Sequence, residues 1–357
     1  MIIKNADNLI DTHLKKVDPV CPVFGRCGGC QYQDIPYEQE LAVKDQTIAG
    51  LFKEHLNIAP EFCEPIVPSP QEYHYRNRLD LKIMRTKEGI LFGFSTEGKN
   101  LTVPIDACPI AMQAISDVIP QLRKQTTENL PPKYRMANLV VRADTEGKVK
   151  WGGIGRRSLR LKEDDYLSTE LDGRRIFYSL ETFFQANLFI LPKLIDHLKA
   201  DLPLAADTVF FDLYGGVGLF GLCLSDSVAK AVLVEECGAS IKLARYNAEH
   251  NRVENLEIVE SRVENCLELL LSKYSRYKKV VMVDPPRQGL SPQACDFLSQ
   301  LKNVEGFVYL SCHPDSLIRD LKEFLAKGWR IQKVVPFDFF PRTKHIETLV
   351  LLVKSKE

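Results

Sequence analysis

The chain has 357 residues, 45% of them hydrophobic, 26% charged and 9% aromatic. That globular profile excludes a collagen-like, disordered or small disulfide-stapled protein. Lys plus Arg and Asp plus Glu both number 47, so the formal net charge is zero. A uniformly basic coat is excluded, and a nucleic-acid partner needs a local basic patch. Two or three domains are expected from the length. The first residues, MIIKNADNLIDTHLKKVD, lack the apolar centre of a signal peptide, and no long uncharged apolar run follows. The expected compartment is a reducing cytoplasm, with no membrane partner. There, ten cysteines are metal ligands, catalysts or packing residues rather than disulfides.

In chain order, residues 1–68 hold a tight cysteine group, Cys21, Cys27 and Cys30 in a C-x5-C-x2-C pattern. The amphipathic helix pattern PYEQELAVKDQTIAGLFKEHL follows, with Pro36 suited to its first turn. EPIVPSPQ (64–71) is proline-rich and is expected to be a linker. Residues 69–170 form a β-rich central domain, with alternation in NRLDLKIMR and NLVVRADTEGKVKWGGIG and turn clusters at TEGKN and DTEGK. In residues 171–357, the apolar runs TVFFDLY, AKAVLVEE, KKVVMVDPP, EGFVYLSC and HIETLVLLVK alternate with helical stretches such as GASIKLARYNAEHN and SPQACDFLSQLK. Continuous apolar strands alternating with helices predict an α/β fold, a doubly wound Rossmann-like sheet covered on both faces.

Cys108, in ACPI, joins the first three cysteines as a fourth thiol. Four thiolates fit either a [4Fe–4S] cluster or a structural zinc, and spacing alone does not choose. Cys63, Cys223, Cys237, Cys266 and Cys295 have no partner at informative spacing and are expected to be packing or surface residues. Two basic stretches fall in the β-rich region. KVKWGGIGRRSLRLK (148–162) carries Lys148, Lys150, Arg156, Arg157, Arg160 and Lys162 around Trp151. HYRNRLDLKIMRTK (74–87) adds Arg76, Arg78, Lys82, Arg85 and Lys87. Basic side chains with an interleaved aromatic suit RNA phosphates and stacked bases, whereas a single charge run is more often a solvated face.

The run TVFF leads into Asp212-Leu-Tyr214-Gly215-Gly216-Val-Gly218, where glycines let the backbone approach a ligand closely. The next strand ends at Glu235 and Glu236, and an acid at that tip is placed for ribose hydroxyls. The order G-G-x-G-x-F departs from the dinucleotide G-x-G-x-x-G and favours S-adenosylmethionine or a nucleotide over a plain turn. Further along, Asp284-Pro285-Pro286-Arg287 ends one strand, Cys312 ends the next, and Glu347 lies near the start of the last. These groups share one rim of the predicted sheet. A cysteine there is a candidate nucleophile.

The set resembles the RNA uracil-5 methyltransferase family. The resemblance is carried by FFQAN (183–187), DLYGGVGLFG (212–221), VDPPRQG (283–289), YLSCHP (309–314) and FPRTKHIETL (340–349). CPVFGRCGGCQYQ (21–33), YRNRLDLKI (75–83) and ACPI (107–110) extend it over nearly the whole chain. It implies a class I methyltransferase domain with a β-rich domain and an N-terminal iron–sulfur segment. Cys312 would attack C6 of a uracil flipped out of RNA, C5 would take the methyl group of S-adenosylmethionine, and Glu347 would remove the C5 proton. Gln185, Tyr214, Gly216, Gly218, Glu235 and Asp284 would bind the cofactor or shape its pocket, with a substrate role also open to Asp284. The resemblance implies a [4Fe–4S] cluster on Cys21, Cys27, Cys30 and Cys108, structural in role.

By the same analogy the RNA is 23S rRNA first and tRNA second, and the chain works as a monomer. A small β-barrel that many relatives carry ahead of the cysteines is expected to be missing. Three positions depart from the family pattern: His313 replaces the usual asparagine, Arg342 an expected histidine, and Leu219 an often polar residue. Ser261 and Arg262 are candidates for the adenine contact. Two rival activities remain at this stage. DPP resembles the turn of base amino-group methylases, although Arg287 follows it where they carry an aromatic residue. A non-catalytic iron–sulfur RNA-binding or redox-sensing protein would need no Cys312.

Overall fold

The computed structural model describes residues 15–96, 101–130, 134–153 and 166–354. Arg156, Arg157, Arg160 and Lys162 of the first basic stretch lie outside them. The elements run α1 (Tyr37–Leu56), β1 (Arg78–Arg85), β2 (Ile90–Ser95), β3 (Thr102–Pro104), α2 (Gln113–Asn129), β4 (Met136–Ala143) and β5 (Val149–Gly152). Next come β6 (Leu167–Leu171), β7 (Arg174–Tyr178), α3 (Leu191–Asp201), β8 (Thr208–Leu213), α4 (Leu219–Leu224), β9 (Lys230–Glu235) and α5 (Gly238–His250). The chain continues through β10 (Leu256–Glu260), α6 (Val263–Lys273), β11 (Lys278–Val283), α7 (Pro292–Ser299), β12 (Gly306–Ser311), α8 (Pro314–Ala326), β13 (Trp329–Phe337) and β14 (Glu347–Lys354).

The larger sheet has the order β10-β9-β8-β11-β12-β14-β13. β8 pairs in parallel with both β9 and β11, and β11 with β12. β14 enters antiparallel between β12 and β13. All six residues of β8 and of β12 are buried, as the continuous apolar runs require of a sheet covered on both faces. Period-two geometry sends alternate residues to opposite cores. Phe211, Leu213, Val283 and Tyr309 join α6, α7 and α8 on one side. Phe210, Met282, Val308 and Leu310 join α3, α4 and the β6–β7 hairpin on the other. The chain order reverses between β8 and β11, where sheets of this kind place their ligand beyond the strand ends.

The central β-rich expectation is met by an antiparallel sheet, β3-β2-β1-β4-β5. Its inner face is covered by α2, which the sequence reading missed because Pro120 interrupts the helix interior. The β6–β7 hairpin was also missed, although its turn residues Asp172 and Gly173 both have positive φ, the signature of a two-residue hairpin loop. Pro36 is the cap residue just before α1 rather than a residue of its first turn. Ile48 and Phe52 of α1, with Ile66, belong to the core of the larger sheet.

The 64–71 segment is not a free linker. The amides of Glu64 and Val67 donate to Val334 and Pro336 of β13, and the Asp338 amide donates to the carbonyl of Val67. The segment therefore covers an otherwise open sheet edge. Among the described residues, no helix is long and apolar enough to cross a membrane.

Candidate active site

The glycine loop follows the switch-point strand β8. Tyr214, Gly216 and Gly218 all have positive φ, so the chain turns sharply into α4. A Cβ on Gly215 would come within 2.7 Å of the Leu233 side chain, so only glycine lets the loop lie this close to β9. At the tip of β9, Glu235 Oε2 accepts from the Gly216 amide at 3.0 Å, and Oε1 accepts from the amides of Glu236 and Cys237. Asp212 is fully buried. Its Oδ2 accepts from the Gly221 amide at 2.8 Å, while Oδ1 has no partner. Burial drives its carboxyl up to about 7, with the Gly221 amide opposing and the charge of Glu235 adding.

The neighbouring strand ends bring the other predicted groups together. The last paired residues of β12 and β14 are Ser311 and Thr348, which sets Cys312 beside Glu347 where the two strands part. Asp284 directly follows β11, and its Oδ2 accepts from Gln185 Nε2 at 3.1 Å. Glu347 is buried, and its carboxyl is held well above the ordinary range by burial and then by the charge of Asp284. Asp284 is raised to about 7 by burial and by Asp212, with the Gln185 hydrogen bond opposing. The half-buried Cys312 thiol is pushed up to about 12 by burial first, then by Glu347 and Asp284, with Arg287 opposing. Resting Cys312 is therefore a neutral thiol.

Two carboxylates acting on one thiol, with a third, Asp212, acting on Asp284, are unfavourable alone and suited to a cationic ligand. S-adenosylmethionine, which carries a sulfonium and an ammonium, fits this donor set and the unpartnered Asp212 oxygen.

A family model described as tRNA (uracil-5-)-methyltransferase matches residues 148–355, more than half of the chain. The chain belongs to this family. As a tRNA (uracil-5-)-methyltransferase family member it is an RNA uracil-5 methyltransferase, with S-adenosylmethionine as methyl donor. A protein of Thermotoga maritima described as an uncharacterized RNA methyltransferase is 29% identical over 95% of this chain and 85% of its own. The 23S rRNA (uracil(1939)-C(5))-methyltransferase RlmD of Haemophilus parainfluenzae is 27% identical over 99% of this chain and 86% of its own. The crystal structure of Pyrococcus abyssi tRNA (uracil-54, C5)-methyltransferase in complex with S-adenosyl-L-homocysteine shares the fold. Its TM-score is 0.71, at 24% identity over 91% of this chain and 86% of that one.

Within this methyltransferase, not every predicted site residue sits in the Cys312–Asp284 group. The Tyr214 ring packs against the core under α6–α8, and its hydroxyl is held up by burial and then by Glu264 and Asp320. Leu219 is buried in the opposite core. Arg262 pairs with Glu236 at 2.9 Å, and the Ser261 amide donates to the Glu235 carbonyl. His313 is half-buried, with Nδ1 unpartnered.

Sequence reasoning missed the scaffold that holds the DPPRQG turn. Asp320 Oδ2 accepts from the Leu290 amide and the Tyr309 hydroxyl, Arg319 donates to the Gln288 carbonyl, and Ser316 to that of Arg287. The helical spacing of Ser316, Arg319 and Asp320 after Cys312 was the available signal. His345 was missed as well. Burial, and then the nearby cations Arg287, Arg76 and Lys344, lower it to about 4, so the ring is neutral at pH 7. Of these cations, Arg287 also acts on the Cys312 thiol.

Arg342, a departure from the family pattern, is a buried hub with positive φ. Its guanidinium donates to the carbonyls of Tyr32 and Ile35 and to Glu72, and its carbonyl accepts from the amides of Gln31 and Tyr32. The cysteine segment is thereby tied to the loop that leads into Glu347.

The four cysteines of that segment and ACPI act on one another. The Cys30 thiol is raised to about 12 by burial, with Gln33 opposing and the charges of Cys108, Cys27 and Cys21 adding. Cys108 is raised to about 11, by burial first, and Cys27 is raised by burial and by Cys21. All four thiols are free. Among the described residues, no group of three or more ligating side chains is drawn together closely enough to hold a metal ion. The remaining cysteines divide into buried Cys223 and Cys295, half-buried Cys63 and Cys266, and exposed Cys237.

Of the basic side chains, Arg78 pairs with Asp80, Arg85 donates to the Leu130 carbonyl, and Lys148 to that of Tyr166. Lys82 reaches Ser95, Lys87 is exposed, and Trp151 is 38% exposed.

Proposed function

We propose that Cys312 and Glu347 carry the covalent chemistry of uracil C5 methylation, on a uridine of 23S rRNA. The observation that carries this reading is the Cys312 thiol at the free end of β12, beside buried Glu347 and under the electrostatic influence of Asp284. C5 of uracil is a poor nucleophile, and transient addition at C6 divides one hard step into two easier ones. S-adenosylmethionine supplies an electrophilic methyl group on sulfonium sulfur. Cys312 Sγ bonds to C6 as its proton passes to Asp284, whose carboxyl near 7 takes a proton at neutral pH. Addition shifts the π pair of the C5–C6 bond onto C5 and O4 as an enolate, and C5 would then take the methyl group, leaving the donor as the neutral thioether S-adenosylhomocysteine. Glu347, in its ionised form, removes the C5 proton and later releases it to solvent, the double bond re-forms, and the Cys312–C6 bond breaks. Cys312 finally recovers its proton from Asp284.

Gly216, Gly218 and Glu235 hold the methyl donor at the glycine loop, with Gln185, Tyr214 and Asp284 shaping the rest of its pocket. The division into an N-terminal segment (1–68), a central RNA-binding domain (69–170) and a catalytic domain (171–357) belongs to the same reading. So do a cytoplasmic location and a monomeric state.

Cys21, Cys27, Cys30 and Cys108 fit the donor set of a [4Fe–4S] cluster. Burial first, and then the neighbouring thiols, raise the Cys30 and Cys108 pKa values, an effect that bound iron would reverse by accepting thiolates. The cluster would supply a cross-link between the N-terminal segment and the central sheet, and no step of methyl transfer uses its electrons.

The Haemophilus relative named for 23S rRNA, aligned over nearly the whole chain, supports the ribosomal substrate. The family description and the Pyrococcus fold match keep tRNA as the second reading. The deciding experiment maps 5-methyluridine in ribosomal and transfer RNA from a deletion strain. A missing 23S site with intact tRNA supports the first reading, and the converse pattern replaces it with the second.

A further inference from the structure

Arg142, on β4, is completely buried, yet among the described residues no carboxylate forms an ion pair with it. Its Nη1 donates to the carbonyls of Ser179 at 2.7 Å and Thr182 at 2.9 Å, and its Nη2 to that of Phe184 at 3.0 Å. The guanidinium lies 4.6 Å from the centre of the Tyr178 ring, which stacks on Phe184 with centroids 4.4 Å apart. Its Nε has no partner. Burial lowers its pKa to about 9. A buried cation satisfied only by backbone carbonyls is expensive, and an apolar side chain would fill the space at lower cost. What an apolar side chain cannot do is fix three carbonyls of one turn at once.

Those carbonyls belong to the turn that ends in Gln185. The residue just before β1 of the same sheet holds the far side. Asn77 donates from Nδ2 to the Gln185 carbonyl at 3.1 Å and from its amide to the Ala186 carbonyl at 2.9 Å. Gln185 Nε2 then reaches Asp284. We propose that Arg142 is a positioning residue: it shapes the 179–184 turn so that Gln185 meets Asp284, and the central sheet thereby completes the catalytic pocket. The inference rests on the assignment of Gln185 and Asp284 to the active site.

The test compares Arg142→Lys, Gln185→Leu and the double variant by single-turnover methyl transfer across pH, with thermal melting as a folding control. The Gln185 hydrogen bond lowers the Asp284 pKa, so its loss moves the Asp284 limb of the pH profile upward. The expected shift is about one unit, the worth of one hydrogen bond to a carboxylate. Arg142→Lys should show the same shift and a kcat lowered roughly tenfold with the KM for RNA little changed. The double variant should be no worse than Gln185→Leu alone. Additive losses, or an unshifted profile in Arg142→Lys beside a shifted one in Gln185→Leu, overturn the positioning role and leave the site assignment standing. A Gln185→Leu enzyme with unaltered rate and profile overturns the site assignment and the inference together. If Arg142→Lys does not fold, Arg142→Gln, which keeps two N–H donors, takes its place. Failure of both to fold makes Arg142 a core residue and ends the proposal.

Discussion

At the residue scale, the chemistry depends on groups that are uncomfortable at rest. Cys312 sits with its thiol at about 12 because burial and two carboxylates oppose its ionisation. A thiol in that state resists oxidation, which would protect the proposed nucleophile between turnovers. Cys312→Ala should abolish turnover, at least a 10⁴-fold loss, while sparing cofactor binding measured by calorimetry. Glu347→Gln should accumulate the Cys312–uracil adduct, seen as an RNA-shifted band on a denaturing gel. If no adduct forms, Glu347 is not the base that resolves it.

The strain on Asp212 is measurable in the cofactor-free protein. Its folded-state carboxyl titrates near 7 against an ordinary 3.8. Below about pH 3 both folded and unfolded chains hold the proton, so Asp212→Asn is neutral there. Between 4 and 7 the unfolded chain ionises first and the native protein loses stability, with the deficit complete above 7. Asp212→Asn should therefore be the more stable protein at pH 8, by roughly 1–3 kcal/mol, and equal near pH 3. Urea melts at the two pH values check this sign.

At the element scale, the insertion of β14 between β12 and β13 brings Glu347 to Cys312. All the strands before it are parallel and point one way, whereas β14 runs back, so its first residue meets the last residues of β12. The loop before β14 is pinned by α1. Lys44, almost wholly buried, bonds to Glu40 and Asp338 at 2.7 Å each, and Glu40 accepts from the Arg342 amide at 2.7 Å. Removing one member of a buried ion network leaves the others uncompensated. Lys44→Met should cost about 3–5 kcal/mol at neutral pH by denaturant unfolding. Activity of the surviving folded fraction should fall too, because residues 338–346 lead directly into Glu347. Full activity in a destabilised variant would separate this network from the catalytic loop.

At the scale of the whole molecule, three regions distant in sequence converge around the Cys312–Asp284 group. The cysteine segment bonds to the loop around Arg342, the central sheet grips the turn before Gln185, and the larger sheet supplies Asp284, Cys312 and Glu347. If the cluster cysteines act as proposed, Cys27→Ser should lose the brown chromophore and its iron, and should melt at lower temperature. Stoichiometric iron in that variant, read by metal analysis, would reject the ligand assignment.

The parallel strands and the thiol at the end of β12 were legible in the residues, because strands buried on both faces spell unbroken apolar runs. Edge strands were not. β10 is only half-buried throughout, and β13 alternates between buried and exposed residues, so neither carries enough apolar sequence to stand out. The Asp172-Gly173 turn was readable and overlooked. Arg142 was hidden in a run read only for its strand alternation, since nothing local distinguishes a solvated arginine from one that caps three distant carbonyls. The sequence by itself determined the α/β class and the family and nominated the candidate reactive groups, because these follow from short-range patterning and from motifs whose spacing is covalent. Only the tertiary structure decided which carboxylates face the thiol, that the proline-rich segment seals a sheet edge, and which buried cations hold the pocket in shape. Those depend on desolvation and on contacts between residues a hundred or more positions apart, which no local pattern encodes.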